Sequence, residues 1–447
     1  MPVAQRKVEG RHQLLERLSE ARVRTDELFD IVQPDSIYER PIPERHRIIF
    51  YLGHLEAFDW NLLRERVLGM KAFHPDYDRL FAFGIDPVNG ALPSDQPADW
   101  PSIVETRKYV QRIRESIDEG LVTLESADWL SNPVGADFTA SALLNVAIEH
   151  RFMHAETLAY MLHQLPFERK VLRARKPELT VPPITPKMIE IPAGSATLGM
   201  SRRDQEAFGW DNEYEQQTID VPTFAIDKYK VTNGQYLDFV AAGGYENPAW
   251  WTDEDWNWRT AQNIQSPVFW SRNRDCWYLR NMFDEIPLPL DWPVYVSHAE
   301  ANAYARWAGK ALPSEAQWHR AAYGTANGHE NSFPWGNAAP NSSRGNFDFQ
   351  SWDPVSVVAF QKGDSAFGVA DLLGNGWEWT SSRFEPFPGF RRFSFYPGYS
   401  ADFFDGKHYV MKGASSRTAA CMLRRSFRNW FQPHYQFVYA GFRCVSN

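Results

Sequence analysis

The stretch "FTASALLNVAIEHRFMHAETLAYMLHQL" (residues 138–165) decides how the N-terminal part of the chain folds. Apolar residues recur in it at three- and four-residue spacing, neither proline nor glycine interrupts it, and Pro166 follows it. That is the pattern of an amphipathic helix with a firm stop. Three earlier runs repeat the pattern, at 8–32, 44–68 and 101–121. Four such helices predict an antiparallel bundle, with a longer loop over 83–101 between the second and third.

The same stretch carries His150 and His154, four residues apart. On a helix such positions differ by about 40° in azimuth and lie roughly one turn apart, so both imidazoles project the same way, as a metal clip needs. The residues between them are Arg151, Phe152 and Met153, so the glutamate base of an HExxH protease is missing and that activity is excluded. A third histidine, His54 in "YLGHLEAFDW", sits mid-helix on an apolar run. Two neighbouring helices can bring three imidazoles to one point. Three neutral nitrogen ligands leave open positions, which suits oxygen or substrate on Fe(II), or water on Zn(II). Spacing alone does not separate the two metals, nor a metal from packed histidines.

Beyond "TVPPITPKMIEIPAG" (180–194) the texture changes to short β-type runs, many aromatics and turn clusters. Two helices stand out, at 297–309 with Ser297 and Glu300 as a capping box, and at 313–324 with Ser314 and Gln317 in the same arrangement. The domain division expected is 1–166 for the bundle, 167–187 for a linker and 188–447 for an irregular α+β domain. The basic run "ERKVLRARKPE" (168–178) reads as solvated linker.

Bulk properties narrow the partners. A net charge of −9 argues against nucleic acid or an anionic membrane surface. No stretch is long enough to span a bilayer and the N-terminus lacks the apolar core of a signal peptide. The 3 cysteines, Cys276, Cys421 and Cys444, form no CxxC pair and no disulfide framework. A cytoplasmic protein is expected. The 18 tryptophans suit clefts lined by rings.

Several long phrases then occur in order: "IPAGSATLGM" (191–200), "FAIDKYKVTNGQYLDFV" (224–240), "WPVYVSHAEANAYARWAGKALPSEAQWHRAA" (292–322), "DLLGNGWEWTSS" (371–382) and "GFRCV" (441–445). Together they resemble the formylglycine-generating-enzyme (sulfatase-modifying factor, C-type-lectin-like) fold over roughly residues 186–447. Joined to a DinB-like four-helix bundle carrying His54, His150 and His154, the chain resembles the EgtB-like nonheme iron sulfoxide synthases of ergothioneine biosynthesis, whose relatives include selenoneine synthases. The resemblance implies an α+β multidomain enzyme that holds Fe(II) on those three histidines. It would use O2 to join a thiol or selenol donor to the imidazole of hercynine, the trimethylated betaine of histidine, giving a sulfoxide or selenoxide.

The resemblance also implies site residues. In "YPGYSADFFDG" (396–406), Tyr396 would be the proton or hydrogen donor during oxygen activation, and Tyr399 would help seat the substrate imidazole. In "SFRNWFQPHYQF" (426–437), Asn429 would bond the amino-acid end of the betaine and Trp430 would face its quaternary ammonium. Three positions depart from the family pattern. Phe431 stands where relatives using γ-glutamylcysteine carry Asp, Tyr435 stands for Arg, and Met153 stands for the glutamine that touches the substrate imidazole. Rings in place of charges suit a donor other than γ-glutamylcysteine, with a selenosugar favoured over cysteine. Asp371 and Glu378 match positions of a structural Ca²⁺ in formylglycine-type relatives, with a tight turn as the alternative.

Four other activities compete. An ergothioneine sulfoxide synthase could use cysteine or γ-glutamylcysteine. A DinB-type transferase would use zinc at the same histidines without O2. The C-terminal fold could serve as a noncatalytic binding module. Formylglycine generation is excluded, because the segment 412–429 has only Cys421 where that chemistry resembles a copper site of two cysteines.

Overall fold

The computed structural model describes residues 11–82, 92–124, 138–173, 184–203 and 208–446. It divides into two compact units, the break falling between Ala174 and Arg175.

The first unit is built on helices α1 (Arg11–Phe29), α2 (Ile48–Leu63), the short α3 (Pro75–Leu80), α4 (Ile103–Thr123) and α5 (Ala140–His163). Its four long helices lie on the four predicted runs; the turn of helix at α3 has no counterpart in that reading. The loop predicted over 83–101 lies outside the described residues as far as 91. Helix α5 starts where the Thr139 hydroxyl accepts the Ala142 N–H at 3.2 Å, and ends before Pro166, which cannot continue a helix. It is buried around nearly its whole circumference and packs on α1 and α2.

Burial on all sides forces polar residues of α5 to find internal partners. Arg151, between the two clip histidines in sequence, is fully buried. Its Nε donates to Asp59 at 2.6 Å and its Nη2 to the Leu55 carbonyl at 3.3 Å and to Glu56. Glu56 also accepts from Arg114 at 2.7 Å, and Arg114 grips Asp26 at 2.7 and 2.8 Å. One chain of charges therefore crosses α1, α2, α4 and α5. Burial alone would raise the Glu56 carboxyl, but Arg151 and Arg114 hold it down at about 2.

The described part of the basic run is mostly exposed, as expected of a solvated linker, and one residue departs from that reading. Lys170 is buried and bridges to Val32, and the Val171 N–H donates to the Ile31 carbonyl at 2.8 Å. Backbone pairing thus closes the segment after α5 against the end of α1.

The second unit contains β1 (Met188–Ile191), β2 (Gly194–Leu198), β3 (Gln217–Val221), β4 (Phe224–Asp227), α6 (Asn233–Ala241), α7 (Asp253–Ala261), β5 (Trp270–Asn273), β6 (Cys276–Arg280), β7 (Glu285–Pro287), α8 (His298–Trp307), α9 (Glu315–Tyr323), β8 (Gly376–Arg383), β9 (Tyr409–Ala414), β10 (Asn429–Phe431), β11 (Ala440–Gly441) and β12 (Val445–Ser446). These strands make small sheets: β1-β4-β12, β2-β3, β5-β6-β7 and β10-β9-β8-β11, the last with β11 parallel to β8. Ile191, Phe224, Ile226, Trp318, Leu372 and Val445 belong to the core between them. Gly376 opens β8 at φ +123, and a Cβ there would meet the Tyr295 ring at 2.6 Å, so only glycine fits.

Both predicted capping boxes start helices, α8 and α9. Two further helices were missing from the sequence reading. Helix α6 has its own box, with the Thr232 hydroxyl accepting the Gln235 N–H at 3.3 Å and the Gln235 carbonyl oxygen accepting the Thr232 N–H at 3.0 Å. In α7 the Thr252 hydroxyl caps the Asp255 N–H at 3.1 Å.

Candidate metal centre and aromatic site

Helix α2 carries His54 and α5 carries His150 and His154, and all three imidazoles are buried. Their candidate ligand atoms lie within 4.8 Å of one another. His154 Nε2 is 3.2 Å from His54 Nε2 and 3.1 Å from His150 Nε2. His54 Nδ1 is 2.7 Å from the Phe81 carbonyl oxygen. A carbonyl only accepts, so Nδ1 carries the proton and the Nε2 lone pair faces the other two rings. The His54 ring also stacks on Phe50 at 4.7 Å and the His150 ring on Phe58 at 3.4 Å.

The donor set fits a metal ion. Burial, the largest cause, lowers His54 to about 4 and drives His150 and His154 well below the usual imidazole range; the neighbouring imidazoles add to it. Neutral rings with converging lone pairs are what a divalent cation binds and what nothing else in a dry cavity stabilises. Ligands about 2.1 Å from one ion stand about 3.0 Å apart at right angles and about 3.4 Å apart in a tetrahedron. The 3.1 and 3.2 Å separations lie between the two and do not choose a geometry. Met153, next to His154, is half-buried on α5, and its carbonyl accepts from Thr157 at 3.1 Å.

In the second unit the predicted aromatic residues meet. Tyr396, Pro397, Gly398 and Tyr399 form a tight turn closed by the Tyr399 N–H on the Tyr396 carbonyl at 3.2 Å, with proline and glycine at the central positions that favour them. The two tyrosine rings lie 5.6 Å apart, and Tyr399 meets Trp430 edge-on at 5.4 Å. One face of Trp430 is stacked on Phe384 at 4.2 Å. Asn429 lies beside it at the start of β10, its Oδ1 accepting the Trp430 N–H at 2.9 Å. Phe431 and Tyr435 stack on each other at 5.1 Å, so the two departures from the family pattern form one structural feature.

The calcium expectation fell on Asp371 and Glu378. The two residues do come together, but around an ammonium of the chain itself. Lys230, wholly buried, lies 3.6 Å from the Asp371 carboxylate and 3.2 Å from that of Glu378, and donates to the carbonyls of Asp371 and, at 3.1 Å, Gly374. Arg443 binds Glu378 from the other side at 2.5 and 2.8 Å, and Trp318 donates to it at 2.9 Å. The Glu378 carboxylate thus faces nitrogen donors from Lys230, Arg443 and Trp318.

The sequence reading also missed the short stretch Trp210–Asp211–Asn212–Glu213, every residue of which is buried. Its signal was there: three polar residues between Trp210 and Tyr214, which a core accepts only with dedicated partners. Among the described residues no helix is long and apolar enough to cross a membrane.

Comparison with known proteins covers both units. A model of the sulfatase-modifying factor enzyme 1-like domain matches residues 176–447, and a model of the DinB superfamily matches 17–158. The chain is similar to a hercynine oxygenase of Mycolicibacterium thermoresistibile, 31% identical over 98% of this chain and 95% of that protein. It is 32% identical to a hercynine oxygenase of Mycolicibacterium smegmatis, over 98% and 99% of the two chains. A Neurospora crassa protein named ergothioneine biosynthesis protein 1 is 27% identical over 92% of this chain and 55% of its own length.

Proposed function

We propose an activity for this chain from the premise that it belongs to the EgtB-like hercynine oxygenase family, a DinB-type bundle joined to a sulfatase-modifying-factor domain: oxidative coupling of a thiol or selenol donor to the imidazole C2 of hercynine. In the sulfur case the donor S–H and the ring C2–H bonds break and a C–S bond forms. One oxygen atom of O2 ends on sulfur and the other leaves as water with both hydrogens, so four electrons pass from the organic partners to O2.

The observation that carries this reading is the buried cluster His54, His150 and His154. We assign it as the Fe(II) site. Iron bound there would supply open coordination positions and the redox chemistry of oxygen activation. Likeness to proteins named hercynine oxygenase supports a redox-active iron over zinc.

Tyr396 is the proposed proton or hydrogen donor. Tyr399, Asn429 and Trp430 are assigned to hercynine, with Met153 next to the second clip histidine as an apolar contact. Phe431 and Tyr435 are assigned to the donor. Their stacked rings offer no charge to an ammonium or a carboxylate, which supports a neutral ring-bearing donor, such as a thio- or selenosugar, over γ-glutamylcysteine.

The test is reconstitution without oxygen, using Fe(II) or Zn(II), followed by air. O2 uptake and product mass are then read with hercynine and γ-glutamylcysteine, cysteine, a thiosugar or a selenosugar. Iron-dependent uptake with a coupled product from a sugar donor is expected. Transfer with zinc and no uptake would replace this reading by a thiol transferase, and coupling to γ-glutamylcysteine alone would remove the role given to Phe431 and Tyr435.

A further inference from the structure

The turn bearing Tyr396 and Tyr399 is held by a side chain remote from it in sequence. Asp211 is wholly buried. One carboxylate oxygen accepts the Ser400 hydroxyl at 2.6 Å and the other accepts the Phe393 N–H at 3.3 Å. Phe393 precedes Tyr396 and Ser400 follows Tyr399, so one carboxylate grips both ends of the tyrosine turn.

The adjacent Trp210, also buried, stacks under Tyr399 with ring centroids 4.0 Å apart and planes 23° from parallel. The stretch 210–213 is itself fixed. Glu213 accepts the Trp210 N–H at 2.8 Å, takes Arg424 at 2.8 Å through Nε, and accepts the Ser426 hydroxyl at 2.7 Å. Arg428 donates to the Asn212 carbonyl at 3.4 Å and to Glu315 at 3.1 Å. The clasp therefore hangs from an anchored base.

A buried carboxylate is a costly way to fill space, and apolar packing would do that better. What two acceptor oxygens provide is direction: they fix the segment in two places, where apolar contact would let it slide. We infer that Asp211, through Ser400 and the Phe393 N–H and with Trp210 beneath Tyr399, is the positioning residue that sets where the Tyr396 phenol stands during the reaction. This rests on the part given to Tyr396 above. A phenol displaced by about 1 Å from its working place loses on the order of 100-fold in rate, and the competing outcome is oxidation of the donor without coupling.

The experiment compares wild type, Tyr396→Phe, Asp211→Asn and Ser400→Ala as iron-loaded full-length protein. Three quantities are read: the ratio of coupled product to donor oxidised alone, iron content, and deuterium uptake over residues 393–403. Asp211→Asn loses one of the two acceptors, and Ser400→Ala, the milder change, loses one donor. Both should keep wild-type iron, raise uptake over that segment, and move the product ratio at least several-fold in the same direction as Tyr396→Phe. A purely structural role would lower all products together and leave the ratio where it was. The inference is overturned if Tyr396→Phe moves the ratio and neither clasp variant does, or if uptake over 393–403 is unchanged in both. If Tyr396→Phe itself leaves the ratio unmoved, the role of Tyr396 falls, the positioning of its phenol falls with it, and uptake alone decides whether Asp211 clasps the turn.

Discussion

At the scale of single residues, the metal centre depends on contacts too small for a sequence pattern to record. Gly53 stands directly before His54, and a Cβ there would meet the Phe81 ring at 2.5 Å. The Phe81 carbonyl holds the His54 Nδ1 proton. Gly53→Ala should therefore push Phe81 away, cost about 1–3 kcal/mol in denaturant unfolding, and weaken metal binding at least tenfold by freeing the imidazole to turn. His150→Ala removes one of three ligands and should abolish stoichiometric iron in metal analysis while leaving the helical circular dichroism intact. The histidines themselves were legible, because a four-residue spacing on a helix fixes a shared direction. The Phe81 carbonyl was not, since backbone atoms carry no letter. Asp211 was legible only as an oddity, a polar residue amid aromatics, because its partners Phe393 and Ser400 lie far along the chain.

Among the elements, the pairing of α2 with α5 sets whether the three imidazoles meet. Arg151 fastens that pair to Asp59 and Glu56 from within. Arg151→Met leaves the buried Asp59 without its cation and Glu56 with Arg114 alone, and should cost about 3–5 kcal/mol. Arg114→Met, whose side chain is partly exposed, should cost clearly less; equal losses in urea unfolding would show that Arg151 has no special place. Helix periodicity located these elements well, because a buried stripe leaves a repeating mark. Helices α6 and α7 are short, so their periodicity is faint, although the Thr232 and Gln235 box was as readable as those of Ser297 and Ser314. The strands are shorter still, as few as two residues in β11, and their pairing order follows from packing that no local pattern encodes.

For the whole molecule, two perturbations should act on different units. Iron at the three histidines would bind the folded bundle and not its unfolded chain, so at 100 times its dissociation constant it should stabilise that unit by about 2.7 kcal/mol. Chelation should lower its melting transition while the transition of the second unit stays in place. Acid should act on the second unit through Glu330. Burial would raise this carboxyl, but the bond to His319, the Thr197 N–H and Arg425 bring it from the usual 4.5 to about 2. The unfolded chain takes up that proton first, so the stabilisation is complete above about pH 4.5 and is lost as pH falls towards 2. Glu330→Gln should flatten the stability curve across that window and leave it unchanged at pH 7 relative to its own value at pH 5.

Lys230 gives the second unit a cation that cannot dissociate. A calcium-filled fold is hostage to the supply of the ion and comes apart when a scavenger wins the competition; a covalently tethered ammonium has no off-rate and no dependence on dilution. The Asp371 and Glu378 pair should hold together equally well in calcium-poor surroundings. EDTA should then act on the histidine centre and leave this carboxylate pair as it is.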